Sequence, residues 1–318
     1  MNRRNIIRII TITLLPLFLI PHPEISLAQS PSPQTPDEPT VDWMTFIPFV
    51  LTNTPPVHSP TSRIINHGSI SEFDQIPDSY IQAASALKFL FRHASVGNNI
   101  SSGLDCLMNK IQPRPSFCDR DIPPDQVIYN SKYNRNNWTF EFHSIPNINP
   151  GWENKVNFFI DRVDHLGPNE DYDVVGFKFG YVDGLQGASI DTNFFLNNRL
   201  PNIYELESLE ARNPNKIVVY WTMGLSRLTY SDSQQFNHQI RDFAITKNKY
   251  LVDIADILSH RPDGTPCLDN ATNRIEAICD DYTDEINGGH LNAMGMQRMA
   301  KAVWLFMSSV AGWNGLSQ

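Results

Sequence analysis

From Ala86 onward the chain alternates short apolar runs with longer amphipathic blocks. This alternation constrains the fold more than any other feature. Residues 87–91 are a strand-like run, and residues 96–111 follow with Ile100, Leu104, Leu107 and Ile111 at helical spacing. Residues 139–145 alternate as a strand, and 152–166 carry a stripe of Val156, Phe159, Ile160 and Val163. Further strands are expected at 173–179, 216–221 and 250–254, with helices at 203–212, 233–246 and 291–310. Strands separated by helices of this length imply right-handed βαβ units and a parallel sheet. Five such strands with covering helices make a three-layer α/β/α sandwich. Ligands of these sheets bind beyond the carboxyl ends of the strands, so the residues just after each strand are the ones to read.

The sequence ahead of this block has a different character. Arg3, Arg4 and Arg8 precede an apolar run at 9–20, and Ala28 ends a small-residue site, so residues 1–28 read as an export signal. Residues 29–85 read as a proline-rich linker and pre-domain segment, with an apolar island from Trp43 to Leu51. Residues 86–312 form the folded domain. No later run is long and apolar enough to span a membrane. The expected location is therefore secreted or cell-surface. In an exported chain, four cysteines point to disulfides; Cys106–Cys118 and Cys267–Cys279 are the favoured pairs, each closing a short polar loop. Each closure contributes about 3 kcal/mol in the chain-entropy model. The net charge of −9 argues against nucleic acid as a partner, because a phosphate-binding surface needs clustered Lys and Arg. No cofactor motif is present, and oligomeric state is not legible.

After the first strand stands His93-Ala94-Ser95-Val96-Gly97-Asn98-Asn99. A serine in such a turn can present its hydroxyl at the sheet edge, with its own N–H at a helix start. The competing reading is an ordinary helix cap. Before the last helix stands Asn287-Gly288-Gly289-His290-Leu291-Asn292, in which two glycines permit close backbone approach and place an imidazole on a loop. A nucleophilic serine needs such a base within hydrogen-bond reach.

These two segments, with Phe177-Lys178-Phe179-Gly180-Tyr181-Val182-Asp183 between them, resemble a bacterial branch of the SGNH (GDSL-like) hydrolases over about residues 86–307. The resemblance implies a flavodoxin-like sheet of order 2-1-3-4-5 and ester hydrolysis through an acyl-enzyme. It makes Ser95 the nucleophile and His290 the general base, with the backbone N–H groups of Ser95 and Gly151 as oxyanion donors. The sequence departs from the family at three places. His93-Ala94-Ser95 replaces Gly-Asp-Ser. Val182 stands where the family has an oxyanion-binding Asn. Asn287 stands where the family has an Asp three residues before the His. An amide can hold an imidazole but cannot stabilise an imidazolium by charge. Asp284 and Asp281 are neighbouring carboxylates able to replace it.

Asn154 is a further candidate donor. Lys178 either replaces the missing donor or pairs with Asp183, and Gly180 and His93 line the expected site. Trp138, Trp152, Tyr181 and Trp221 would suit either sugar stacking or core packing. A metal set of His93, His290 and Asp183 has no ligand-spacing motif behind it, so no metal is expected. Two functions follow. One is a secreted esterase for a small acyl ester, such as a carbohydrate O-acetyl group. The other is a catalytically degenerate glycan-binding or scaffold protein.

Overall fold

The computed structural model describes residues 63–144, 149–185, 205–229 and 231–315. The proposed export signal and the Trp43 island lie outside these residues. The strands are β1 (Ile64–Ile65), β2 (Phe89–His93), β3 (Trp138–Phe142), β4 (Val174–Phe177), β5 (Ile217–Trp221) and β6 (Tyr250–Val252). All pair in parallel, in the order β1-β6-β5-β4-β2-β3. The five expected strands keep the order 2-1-3-4-5. The correction is a sixth strand at the edge, supplied by the segment read from the sequence as lying ahead of the domain. Two residues of β1 are too short a run to show periodicity, and their pairing with Leu251 and Val252 is what makes them a strand.

The helices are α1 (Asp78–Ala86), α2 (Val96–Met108), α3 (Trp152–Asp164), α4 (Tyr181–Leu185), α5 (Glu205–Arg212), α6 (Ser231–Thr246), α7 (Ile254–Ser259) and α8 (Ala293–Val310). They cover both faces of the sheet, so β2 and β4 are buried along their whole length. Alternation sorts the side chains between two cores. Phe89, Phe91, Val174 and Val219 pack with α1, α2, α7 and α8. Leu90, Val175, Phe177, Val218 and Leu251 pack with α3, α5 and α6. Trp138, Trp152 and Trp221 are buried in these cores and cannot stack on a sugar. Helices α2 and α8 meet at Gly103, where a Cβ would lie 2.3 Å from the carbonyl oxygen of Met296.

Disulfides join Cys106–Cys118 and Cys267–Cys279, as the sequence leads one to expect. Among the described residues no helix is long and apolar enough to cross a membrane.

Candidate active site

Ser95 follows β2 directly and stands at the N-cap position of α2, with φ 53° and ψ −111°. An L-residue in this region carries about 1–3 kcal/mol of strain. Its side chain makes no capping bond to the helix. Its Oγ lies instead 2.6 Å from His290 Nε2. That contact is not the geometry of a cap, because a capping hydroxyl would turn back to the first helical N–H groups.

The acid behind the imidazole is Glu285. Its Oε1 lies 2.7 Å from His290 Nδ1, and its Oε2 accepts the backbone N–H of His290 at 3.0 Å. With Nδ1–H directed at a carboxylate, Nε2 is left as the acceptor facing the serine hydroxyl. Partial burial pushes the Glu285 carboxyl up, but the hydrogen bonds from His290 outweigh it and hold the group below its ordinary value. Asn287 is therefore not the ring's partner; it is exposed, and its carbonyl accepts from Leu228 N. Asp284 accepts from Asn292 Nδ2, and Asp281 pairs with Arg261. Gly288 leaves room for this carboxylate, because a Cβ there would lie 1.7 Å from Glu285 Oε2.

Three more residues position this couple. Thr283 Oγ1 accepts from Glu285 N and donates to His290 O. Asn99 Oδ1, one turn after Ser95, accepts Leu291 N at 3.2 Å and ties α2 to the histidine segment. The Tyr181 ring stands edge-on to His290, with centroids 6.0 Å apart.

The charged residues that follow β4 are turned into the core. Asp183 is fully buried and pairs with Lys155 at 2.5 Å, not with Lys178. Its Oδ2 also accepts Gly180 N, so that N–H is not free for an oxyanion. Lys178 is buried, and among the described residues its Nζ has only a 3.4 Å bond to Phe179 O. His93 is also buried, packed between Phe91 and Phe142. His93, His290 and Asp183 thus form no common ligand set. Gly151 is the N-cap of α3, and Asn154 is exposed on its first turn.

The buried cluster behind the site gives a pH signature. Burial, reinforced by nearby cations, holds His93 down to about 3 and His143 to about 2. Burial, with Lys155 next, lowers Lys178 to about 7. In each case the unfolded chain binds more protons over the interval between folded and ordinary pKa, so stability rises with pH there. The histidines contribute stability that is complete above about 6.5 and is lost on acidification towards 3. Lys178 imposes a penalty that is full below 7 and fades by about 10.5. Lys178→Met should therefore raise the urea midpoint at pH 7 and flatten its rise between pH 7 and 10. An unchanged or lowered midpoint would refute this account of Lys178.

No family model matches the chain, and no curated protein matches it in sequence. Solved structures give distant likenesses. A Desulfitobacterium hafniense protein assigned to the G-D-S-L lipolytic family is 12% identical, with a TM-score of 0.39 over 69% of this chain and 98% of that one. A Bacteroides fragilis protein assigned as an acylhydrolase is 10% identical, with a TM-score of 0.43 over 76% and 95%. A Streptococcus pneumoniae protein assigned as a platelet activating factor is 15% identical, with a TM-score of 0.38 over 74% and 92%. The serine, histidine and glutamate stand on their own geometry.

Proposed function

We propose that this chain is an exported serine ester hydrolase of the SGNH type, with Ser95 as nucleophile, His290 as general base and Glu285 as the acid that orients it. The continuous hydrogen-bonded line from Ser95 through His290 to Glu285 carries this reading. Ser95 Oγ attacks the acyl carbonyl while Nε2 of His290 takes its proton. Glu285 stabilises the imidazolium that forms. The oxyanion is held by Ser95 N–H, which the N-cap position leaves outside the helical ladder, and by Gly151 N–H. His290 then returns the proton to the leaving alcohol. Water, activated by the same imidazole, attacks the acyl-enzyme, which breaks to release the acid and restore Ser95. The substrate class is a small acyl ester, with a carbohydrate O-acetyl group as the first candidate.

The competing reading, a catalytically degenerate fold that binds glycan without turnover, rests on Asn287 and Val182. Glu285 supplies the charge that Asn287 lacks. Labelling with a fluorophosphonate separates the two readings. Wild-type protein should be labelled, and Ser95→Ala and His290→Ala should not. A folded wild-type protein that resists the probe would refute the hydrolase reading.

A further inference from the structure

A second cluster of chemistry-bearing side chains lies at the β1–β6 edge of the sheet. His67 follows β1 and opens the 3-10 segment Gly68–Gln75. Asp256 lies within α7, and His260 is the residue that ends that helix. These elements are far apart in sequence, and the added strand brings them together through its pairing with β6.

Both imidazoles turn the same atom towards one carboxylate. His67 Nδ1 is 2.6 Å from Asp256 Oδ2, and His260 Nδ1 is 3.4 Å from Asp256 Oδ1. The rings stack face to face, with centroids 4.0 Å apart and planes 12° from parallel. A ligand atom from each of the three residues lies within 4.8 Å of the others. His260 Nδ1 also lies within hydrogen-bond reach of Asp256 O at 2.9 Å and Ser259 Oγ at 3.2 Å, and Asp256 Oδ2 accepts the backbone N–H of His67 at 2.7 Å. All three side chains are partly exposed, so an ion can enter from solvent.

An ion pair between His67 and Asp256 would use one histidine. The stacked pair is the ion-free arrangement, in which His67 Nδ1 meets Asp256 Oδ2 and His260 Nδ1 meets Asp256 O; because a metal bond lies in the plane of the imidazole, one ring must turn out of the stack for both Nδ1 lone pairs to reach one ion. Two neutral imidazoles and a carboxylate are the donor set of a zinc-type ion. With bonds of about 2.0–2.1 Å, adjacent ligand atoms around zinc lie about 3.3 Å apart. The observed N···O separations of 2.6 and 3.4 Å bracket that value. We propose that His67, Asp256 and His260 bind a divalent transition cation, with water completing the coordination. The ion would fasten the segment after β1 to α7, apart from the catalytic residues. Each histidine binds as its Nε2–H tautomer, so the proton on Nδ1 passes to Nε2 or to solvent as the metal bond forms.

The test is titration of the full-length, tag-free protein, stripped with a chelator, with Zn²⁺ in a calorimeter and with Co²⁺ by visible absorption. One equivalent should bind, with d–d bands in the cobalt form. His67→Gln and His260→Gln should each weaken binding at least tenfold, while His290→Ala should not. In the wild-type protein, Zn²⁺ should also protect His67 and His260, but not the exposed His165, from diethylpyrocarbonate; this readout holds even where a variant folds poorly. Absence of stoichiometric uptake would overturn the proposal, as would uptake that survives both glutamine variants or modification of His67 and His260 unchanged by zinc.

Discussion

Glu285→Gln should lower kcat/KM for an activated ester by about 10⁴-fold, the scale set by replacing a triad acid with its amide. Asn287→Ala should stay within about twofold of wild type, as an exposed substitution away from any such feature does. The difference follows from what each Glu285 oxygen receives. Oε1 faces the ring Nδ1–H and Oε2 faces the backbone N–H of His290. Both are acceptor positions. A glutamine offers one acceptor oxygen, so its amide N–H₂ must face one of these donors. The imidazole is then pushed towards the tautomer that cannot take the serine proton, and the imidazolium loses its counter-charge. Steady-state hydrolysis of a p-nitrophenyl ester, with thermal melts to confirm equal folding, measures both variants. Near-wild-type activity in Glu285→Gln would remove Glu285 from the mechanism.

Asp183→Ala should destabilise the fold by about 3–5 kcal/mol, the cost of stranding one member of a buried ion pair. Lys155 and Asp183 have almost no exposed surface. Burial opposes the charge on each, lowering the lysine and raising the aspartate, and their contact offsets part of that cost. Without Asp183, two buried lysines face each other with no carboxylate between them, since Lys178 already feels Lys155 as a repulsion. The double variant Lys155→Met/Asp183→Leu should recover much of the loss, because a packed apolar pair carries no desolvation penalty. Urea denaturation of the three proteins checks this. A single variant within 1 kcal/mol of wild type would show that the pair is not stabilised as described.

The sheet was readable in the sequence because its strands are buried on both faces and its helices carry regular apolar stripes. Ser95 and His290 were readable because strand ends are where this architecture places function. The acid was not. Family spacing pointed three residues ahead of the histidine to Asn287, whereas the loop folds so that the residue five ahead reaches the ring. Gly288 was the available signal, since a glycine beside a short acidic stretch lets a carboxylate lie against the backbone. Lys155 was lost for a different reason. It sits in the polar-looking run Asn154-Lys155 of an amphipathic helix, where periodicity alone assigns a lysine to solvent. Its burial and its pairing with Asp183 are tertiary features. The pairing of Lys178 with Asp183 failed for the same reason, as nearness in sequence is a poor guide to which cation reaches a carboxylate.

Glu285 and His290 hold each other through bonds inside one short loop, while Ser95 belongs to another helix. The serine–histidine gap is therefore set by how α8 rests on α2, a contact in which the backbones approach closely at Gly103 and Met296 and Asn99 holds Leu291 N. A slide of a fraction of an ångström between the two helices would change the 2.6 Å gap. Turnover in this protein should thus work as a gauge of helix registration, failing under mild heat or denaturant before spectroscopy records any loss of secondary structure.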